Sequence, residues 1–120
     1  MNASESNVLN TLASVLAITR EVNHACVQVL VDSYHLALAG EAPDVVLDAG
    51  RAVRHVHLAR TEARAFPRAA DPWLEAVAAR LRATGYEERC SVEAYSSDFE
   101  ADAPLALSAL RALFRTHEHE

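Results

Sequence analysis

The fold is decided by one stretch, Val27-Gln28-Val29-Leu30-Val31-Asp32-Ser33-Tyr34-His35. Four of its first five residues are apolar, and this density predicts a strand that is buried on both faces, as in parallel sheets. The apolar run stops at an acid, Asp32, and a histidine follows three residues later. The sequence therefore predicts a strand over 27–32 with polar side chains at its carboxyl end.

Two later stretches repeat this design. Val53-Arg54-His55-Val56-His57-Leu58 predicts a second strand whose histidines, two positions apart, share one face. Cys90-Ser91-Val92-Glu93 opens a third, weaker strand, predicted over 90–95. In sheets of parallel strands, functional residues gather at the carboxyl ends, where the loops leave the sheet. Asp32, His57 and Glu93 are therefore candidates for one shared site.

Helical spacing of apolar residues fills most of the chain between these strands. It predicts helices over 6–22, from Val45 to about Gly50, from Asp71-Pro72 to about Gly85, and from about Asp102 onward. Residues 40–44 predict a loop, and residues 59–70, which are polar and rich in arginine, predict a long one. The order αβαβαβα predicts parallel strands joined by right-handed crossovers.

Composition limits the class of protein. A length of 120 residues fits one domain, and a hydrophobic share of 51% is typical of a globular chain. The 11 basic residues are all arginine and face 17 acids; the net charge of −6 argues against a nucleic-acid-binding surface. No apolar stretch approaches the ~20 residues of a membrane span, and no signal peptide opens the chain. We expect a cytoplasmic protein without membrane contact, whose Cys26 and Cys90 stay reduced.

Three strands alone would leave two open sheet edges, which is an unstable arrangement. The first helix also has no strand before it with which to form a βα unit. We therefore expect the chain to be part of a larger sheet.

Four motifs carry a resemblance to a known family. They are Asn2-Ala3-Ser4-Glu5-Ser6-Asn7-Val8-Leu9-Asn10-Thr11, Val29-Leu30-Val31-Asp32-Ser33-Tyr34-His35, His55-Val56-His57-Leu58, and Gly85-Tyr86 through Ser91-Val92-Glu93. In this order they resemble the C-terminal half of xylose isomerase-like TIM barrels, the sugar-phosphate isomerases and epimerases that include ketose 3-epimerases and hydroxypyruvate isomerases. The resemblance implies an α/β fold, a partial (βα)8 TIM barrel with three parallel strands. Residues 1–120 would form one C-terminal half-barrel domain, with 117–120 a frayed tail.

The resemblance also implies a metal centre. In the family a divalent metal, commonly manganese, magnesium or cobalt, is held by Glu, Asp, His and Glu from four successive strand ends. Asp32, His57 and Glu93 match the last three ligands, and an oxygen-rich set with one imidazole suits such metals. The first glutamate would fall before Met1, and we expect it to be missing together with the first four strands.

The same resemblance implies a reaction and a substrate class. The family's two metal-bound glutamates move a proton at the carbon beside the substrate carbonyl, which implies a catalytic role for Glu93. His35 matches a histidine that contacts substrate, and Glu5 matches a glutamate that lines the pocket. Arg64 matches an arginine that reaches substrate oxygens, although its stretch reads Glu62-Ala63-Arg64 where the family has an Asn-Arg-Arg-like sequence. The implied substrate is a small sugar or hydroxy-carbonyl compound.

Each of these residues also has a structural interpretation. Asp32 could cap the turn that follows its strand, Glu93 could be a solvated acid, and His57 could be a buried histidine. Arg60, Arg64 and Arg68 could belong to a solvated loop, and His35 could pack on its loop without binding anything. We interpret His55 as structural.

Two hypotheses of function follow. The first is metal-assisted isomerisation or epimerisation in the full-length context, with weak or no activity in the isolated chain, since two acid/base groups are needed and this chain supplies one. The alternative is a non-catalytic half-barrel that acts through self-association into a homodimer or through a partner chain that supplies the missing N-terminal half.

Overall fold

The computed structural model describes residues 2, 4 and 8–115. Their helices and strands are, in chain order, α1 (Leu12–Val22), β1 (Val29–Asp32), α2 (Ser33–Leu38), α3 (Val45–Ala49), β2 (Val53–Leu58), α4 (Pro72–Ala83), β3 (Cys90–Val92) and α5 (Phe99–Leu113). Short 3₁₀ turns cover Gly50–Ala52 and Glu62–Arg64. Among the described residues, no helix is both long and apolar enough to cross a membrane.

The described strands form one parallel sheet in the order β1-β2-β3. This confirms the predicted α/β fold with three parallel strands. Asp32 lies opposite His57, and His57 lies opposite Ser91. Residues paired in this way point to the same face, so the candidate residues of the first two strands share one face of the sheet at its carboxyl edge.

The opposite face of the sheet forms the core. Val31, Val56 and Leu58 are almost fully buried there, and the helices contribute buried side chains to the same cluster, among them Leu36, Val46, Leu74, Val77 and Leu81. Each of these aliphatic side chains stabilises the fold by about 1.5–3 kcal/mol through burial. The face that carries Asp32 and His57 is open instead, and Leu30 on that face is 47% exposed.

The first helix begins later than the periodicity predicts. Residues 8–11 are not helical, and residues 6 and 7 lie outside the described residues. The Thr11 side chain caps α1 by accepting from the Ser14 N–H, and the Glu41 carboxylate accepts from the N–H groups of Leu12 and Ala13. These contacts make Leu12 the first residue of α1, although the apolar pattern begins earlier in the sequence.

The second strand has its predicted bounds, Val53–Leu58, whereas the first and third strands are shorter than predicted. The strand predicted over 27–32 begins at Val29, because the Val27 N–H donates to the His24 carbonyl in a turn. The third, predicted over 90–95, ends at Val92, although Tyr95 forms an isolated bridge with Ala65.

Side-chain caps set the starts of α2 and α5, which the sequence pattern does not predict. The sequence predicts no helix before the loop at residues 40–44, but the Asp32 side chain caps the six-residue α2. The last helix begins at Phe99 and not near Asp102, because the Asp98 side chain accepts from the Ala101 N–H. The predicted start of α4 is confirmed, with Asp71 as its cap and Pro72 in its first turn.

Candidate functional site

Asp32 uses its two carboxylate oxygens differently. Its Oδ1 accepts from the N–H groups of Tyr34 at 3.0 Å and His35 at 3.1 Å, and so caps α2. Its Oδ2 lies 3.3 Å from Nη2 of Arg64 and 3.7 Å from Nδ1 of His57. The side chain is only 9% exposed. Asp32 is therefore both the capping acid of the structural interpretation and the centre of a polar cluster.

The two histidines of β2 have different neighbours. His57 faces Asp32 across the sheet and remains partly exposed. Nε2 of His55 lies 3.1 Å from Oγ of Ser91, and the two imidazole rings meet edge to face at 5.0 Å between centroids. The structure thus places His57, and not His55, beside the acid.

Arg64 is delivered to this cluster by a loop with an unusual backbone. Ala63 and Arg64 both have positive φ, at 55° and 50°, a conformation that L-residues rarely adopt. The Tyr95 N–H donates to the Arg64 carbonyl at 2.8 Å and holds the loop against the chain after β3. The guanidinium lies 5.0 Å from the centroid of the Tyr34 ring. Arg64 is therefore a positioned side chain and not a member of a solvated loop.

A buried hydroxyl joins the ends of the first two strands. Ser33 is fully buried; its Oγ donates to the Ala59 carbonyl and accepts from the Ala59 N–H, both at 3.1 Å. The Trp73 indole N–H donates to the Ser33 carbonyl at 2.9 Å. The sequence analysis missed this residue, although its position directly after Asp32 on a buried strand was a signal that was available.

Asp32, His57 and Arg64 line one open cleft of about 250 Å³ at the carboxyl edge of the sheet. Its polar lining brings together five of the predicted site residues: Asp32, His35, His57, Arg64 and Glu93. Glu93 is exposed, and its N–H donates to the Leu58 carbonyl at 3.3 Å. Glu5 lies outside the described residues. Apolar side chains of α1 and β1, among them Leu12 and Leu30, complete the walls.

Glu41 is a cleft residue that the sequence analysis did not identify. Its Oε1 lies 2.6 Å from the Leu12 nitrogen and its Oε2 lies 3.2 Å from the Ala13 nitrogen. The carboxylate therefore stabilises the positive end of α1. No local pattern indicates this role, because the partners lie 28 and 29 residues apart in the chain.

The donors of the cleft fit a divalent cation in chemical type. Two ligands of one octahedral ion, each about 2.1 Å from it, lie about 3 Å apart, and the 3.7 Å between Asp32 Oδ2 and His57 Nδ1 is close to that. Glu93 lines the same cleft. Within residues 8–115, however, no three acidic, histidine or cysteine side chains are already grouped as ligands. The cation that contacts Asp32 in this structure is Arg64.

A second polar cluster fixes the loop that carries Arg64. Asp102 of α5 accepts from Ser96 at 2.6 Å and from Nη2 of Arg68 at 2.7 Å. These hydrogen bonds, first that of Ser96 and then that of Arg68, lower the pKa of the Asp102 carboxyl below its ordinary value. The Phe66 and Phe99 rings meet edge to face beside it. The 59–70 loop is thus attached to the first turn of α5.

Comparison with known proteins identifies the fold. A family model described as a xylose isomerase-like TIM barrel matches residues 1–116, whereas no curated protein matches the chain. The solved structure of D-psicose 3-epimerase in the presence of D-fructose is similar, with a TM-score of 0.83 and 22% identity, over 95% of this chain and 47% of that one.

Two further epimerases are similar in structure to the chain over a similar share of their length. L-ribulose 3-epimerase has a TM-score of 0.80 and 21% identity, over 91% of this chain and 43% of its own. The 3-keto-D-glucoside 4-epimerase of E. coli has a TM-score of 0.71 and 23% identity, over 90% and 41%. The chain thus spans less than half the length of these barrels, as the predicted partial barrel requires. It belongs to the xylose isomerase-like TIM-barrel family.

Proposed function

We propose that this chain supplies half of a metal-dependent sugar isomerase or epimerase, which moves a proton on a ketose or hydroxy-carbonyl substrate in its full-length context. The observation that carries the proposal is the cleft at the carboxyl edge, where Asp32, His57 and Glu93 meet His35 and Arg64. In barrels of this kind the active site lies at that edge. The epimerases with similar folds, whose names give sugar substrates, support the same substrate class.

The residues would divide the chemistry as follows. Asp32, His57 and Glu93 would hold a divalent manganese, magnesium or cobalt ion, as the family resemblance implies, and their oxygen and imidazole ligands suit such a metal. When bound, such an ion polarises a substrate carbonyl as a Lewis acid. Glu93 takes or returns the proton at the carbon beside that carbonyl.

The remaining residues orient the substrate. His35 and Arg64 offer hydrogen-bond donors to its oxygens from the wall of the cleft. Glu5, which lies outside the described residues, remains a proposed pocket residue. Epimerisation needs an acid/base group on each side of the reacting carbon, and this chain contributes Glu93 as one of them. We therefore expect weak or no turnover from the chain alone.

Calorimetric titration with MnCl₂ or CoCl₂ tests the proposed metal site. The chain should bind one ion, and an Asp32→Ala/His57→Ala double variant should lose that binding. A His24→Ala variant removes an exposed histidine outside the cleft and should bind as the wild type does. Unchanged binding in the double variant, or no binding to a folded wild-type chain, would reject the site.

A second candidate function, self-association, is favoured by the uncovered face of the sheet. Leu30 on this face is 47% exposed beside the polar cleft. One copy of the chain covers 47% of the D-psicose 3-epimerase chain, so two copies together have about the length of one such barrel. We therefore propose a second copy of the chain as the occupant of this face. Such a dimer would cover both open faces by one isologous contact.

Light scattering coupled to size exclusion tests the association. The wild-type chain should have the mass of a dimer, and Leu30→Lys should shift it to the monomer because the lysine would be buried in the contact. Leu47→Lys replaces a similarly exposed leucine on α3, which packs on the other face of the sheet, and should leave the dimer intact. A monomeric wild-type chain, or equal effects of both variants, would exclude this assembly.

A further inference from the structure

The Arg64 guanidinium contacts the oxygen of Asp32 that a bound metal would use. Asp32 Oδ1 is occupied by two backbone N–H groups, so Oδ2 is the oxygen left for a cation, and Nη2 of Arg64 is 3.3 Å from it. We propose that Arg64 is an internal counter-cation, which competes with the divalent metal for Asp32 and must leave before the metal binds. The inference rests on the proposed metal site and adds a control on its loading.

The burial of the Asp32 carboxylate explains why it pairs with a cation. The Asp32 side chain is 9% exposed, and a carboxylate withdrawn from water to this degree is costly without a partner. Arg64, itself 17% exposed, supplies the positive charge in this structure. A metal ion about 2.1 Å from Oδ2 would repel a guanidinium at the same oxygen. One cation can therefore replace the other at Oδ2.

The loop is constructed so that the arginine reaches this position. Its positive φ angles at Ala63 and Arg64 are held by backbone hydrogen bonds from Arg60 to Ala65, from Ala65 to Glu62 and from Tyr95 to Arg64. Such a conformation persists only where its surroundings enforce it. The side chain that results points back into the cleft, onto the end of β1.

The contact between Arg64 and Asp32 is weak enough to be broken by a competing cation. Nε of Arg64 is buried and has no hydrogen-bond partner among the described residues, and the bond to Asp32 is a single one at 3.3 Å and not a bidentate pair. The guanidinium already lies 5.0 Å from the centroid of the Tyr34 ring, so Arg64 can keep this contact when it leaves Asp32. Arg64 released in this way stays in the cleft, where it can meet substrate oxygens.

Calorimetric titration with MnCl₂ measures the competition. Arg64→Met removes the charge but keeps an unbranched side chain, and it should bind manganese at least tenfold more tightly than the wild type. Arg60→Met is the matched control from the same loop, because Arg60 pairs with Glu62 and Asp71 and not with Asp32. It should bind manganese as the wild type does, because it leaves Asp32 and Arg64 in place.

A measurement on the wild-type chain keeps the inference testable if Arg64→Met fails to fold. Nuclear magnetic resonance of the arginine Nε–H groups during titration with MgCl₂ should show faster exchange with water at Arg64 and no change at Arg60. Equal manganese affinity in wild type and Arg64→Met, or an Arg64 signal that magnesium leaves unchanged while it binds, would overturn the competition but leave the metal site standing. No binding to either protein would overturn both.

Discussion

The two oxygens of the Asp32 carboxylate have different surroundings, one in a helix cap and the other in the cleft. Oδ1 begins α2 by accepting two N–H groups, while Oδ2 faces Arg64 and His57 in the cleft. The capping interpretation and the functional interpretation of this residue are therefore compatible. Because the two roles use different oxygens, substitutions separate them.

Replacing Asp32 by asparagine and by alanine should give different stabilities. Both variants remove the charge from the cleft, but asparagine keeps an oxygen that caps a helix and alanine does not. We expect Asp32→Ala to unfold with a free energy about 1 kcal/mol lower than Asp32→Asn, within the usual 0.5–2 kcal/mol of such caps. Urea denaturation measures the difference, and equal stabilities would mean that the cap contributes nothing.

The two cysteines should differ sharply in reactivity. Burial raises the pKa of the Cys90 thiol to about 11, whereas Cys26 is exposed. The thiolate is the reactive form, so iodoacetamide at pH 8 should modify Cys26 first and leave Cys90 largely unmodified in the folded chain. Mass spectrometry over time measures both sites. Modification of both thiols at the same rate would contradict the packing of β3 shown by the structure.

At the scale of helices and strands, caps close to their helix in sequence were predictable and distant ones were not. Asp71 and Pro72 predict the start of α4 from adjacent residues alone, and the structure confirms that start. The start of α1 depends on Glu41, which meets it only after the chain has folded. The α2 helix depends on Asp32, which the sequence pattern assigns to the end of a strand and not to a helix cap. Hydrophobic periodicity therefore locates the helices, while polar partners set their ends.

The link between the 59–70 loop and α5 should depend on pH. Hydrogen bonds from Ser96 and Arg68 lower the pKa of Asp102 in the folded chain, so the ionised form stabilises the fold. This contribution is fully present above the unfolded pKa, about 3.9, and is lost as the pH falls through the lower folded pKa. The stability advantage of the wild type over Asp102→Asn should therefore shrink between pH 5 and the folded pKa.

Urea denaturation at several pH values measures this advantage. Asp48→Asn is the control, since Asp48 is an exposed acid on α3, and it should show a smaller dependence on pH. A gap between wild type and Asp102→Asn that is the same at pH 6 and pH 3 would contradict the role of the cluster.

At the scale of the whole molecule, the sequence predicts the topology and part of the site. Alternating strands and helices predict the parallel sheet, and the positions of Asp32 and His57 at the carboxyl ends of their strands predict that the two lie close together, as the register has them. What the sequence does not predict is the cation at Asp32. That contact depends on positive φ angles at Ala63 and Arg64, two residues that give no sign of such a conformation. The loop is set by Tyr95 and by the Asp102 cluster, both far along the chain.

The open sheet leaves one side of the proposed site without a wall. Three strands carry polar residues toward a face that the described chain leaves uncovered, and the similar barrels are about twice as long. Whatever covers that face, a second copy or another half-barrel, would also close the wall of the cleft opposite Asp32 and His57. Association and catalysis are therefore linked in this account.

The central claim is that Asp32, His57 and Glu93 hold one metal ion. Nuclear magnetic resonance of the ¹⁵N-labelled chain during titration with Mn²⁺ tests it most directly, because the paramagnetic ion broadens signals only near its site. The amide signals of these three residues should broaden first and together. Broadening centred on the histidines at 117 and 119, or none at the cleft while the chain is folded, would contradict it.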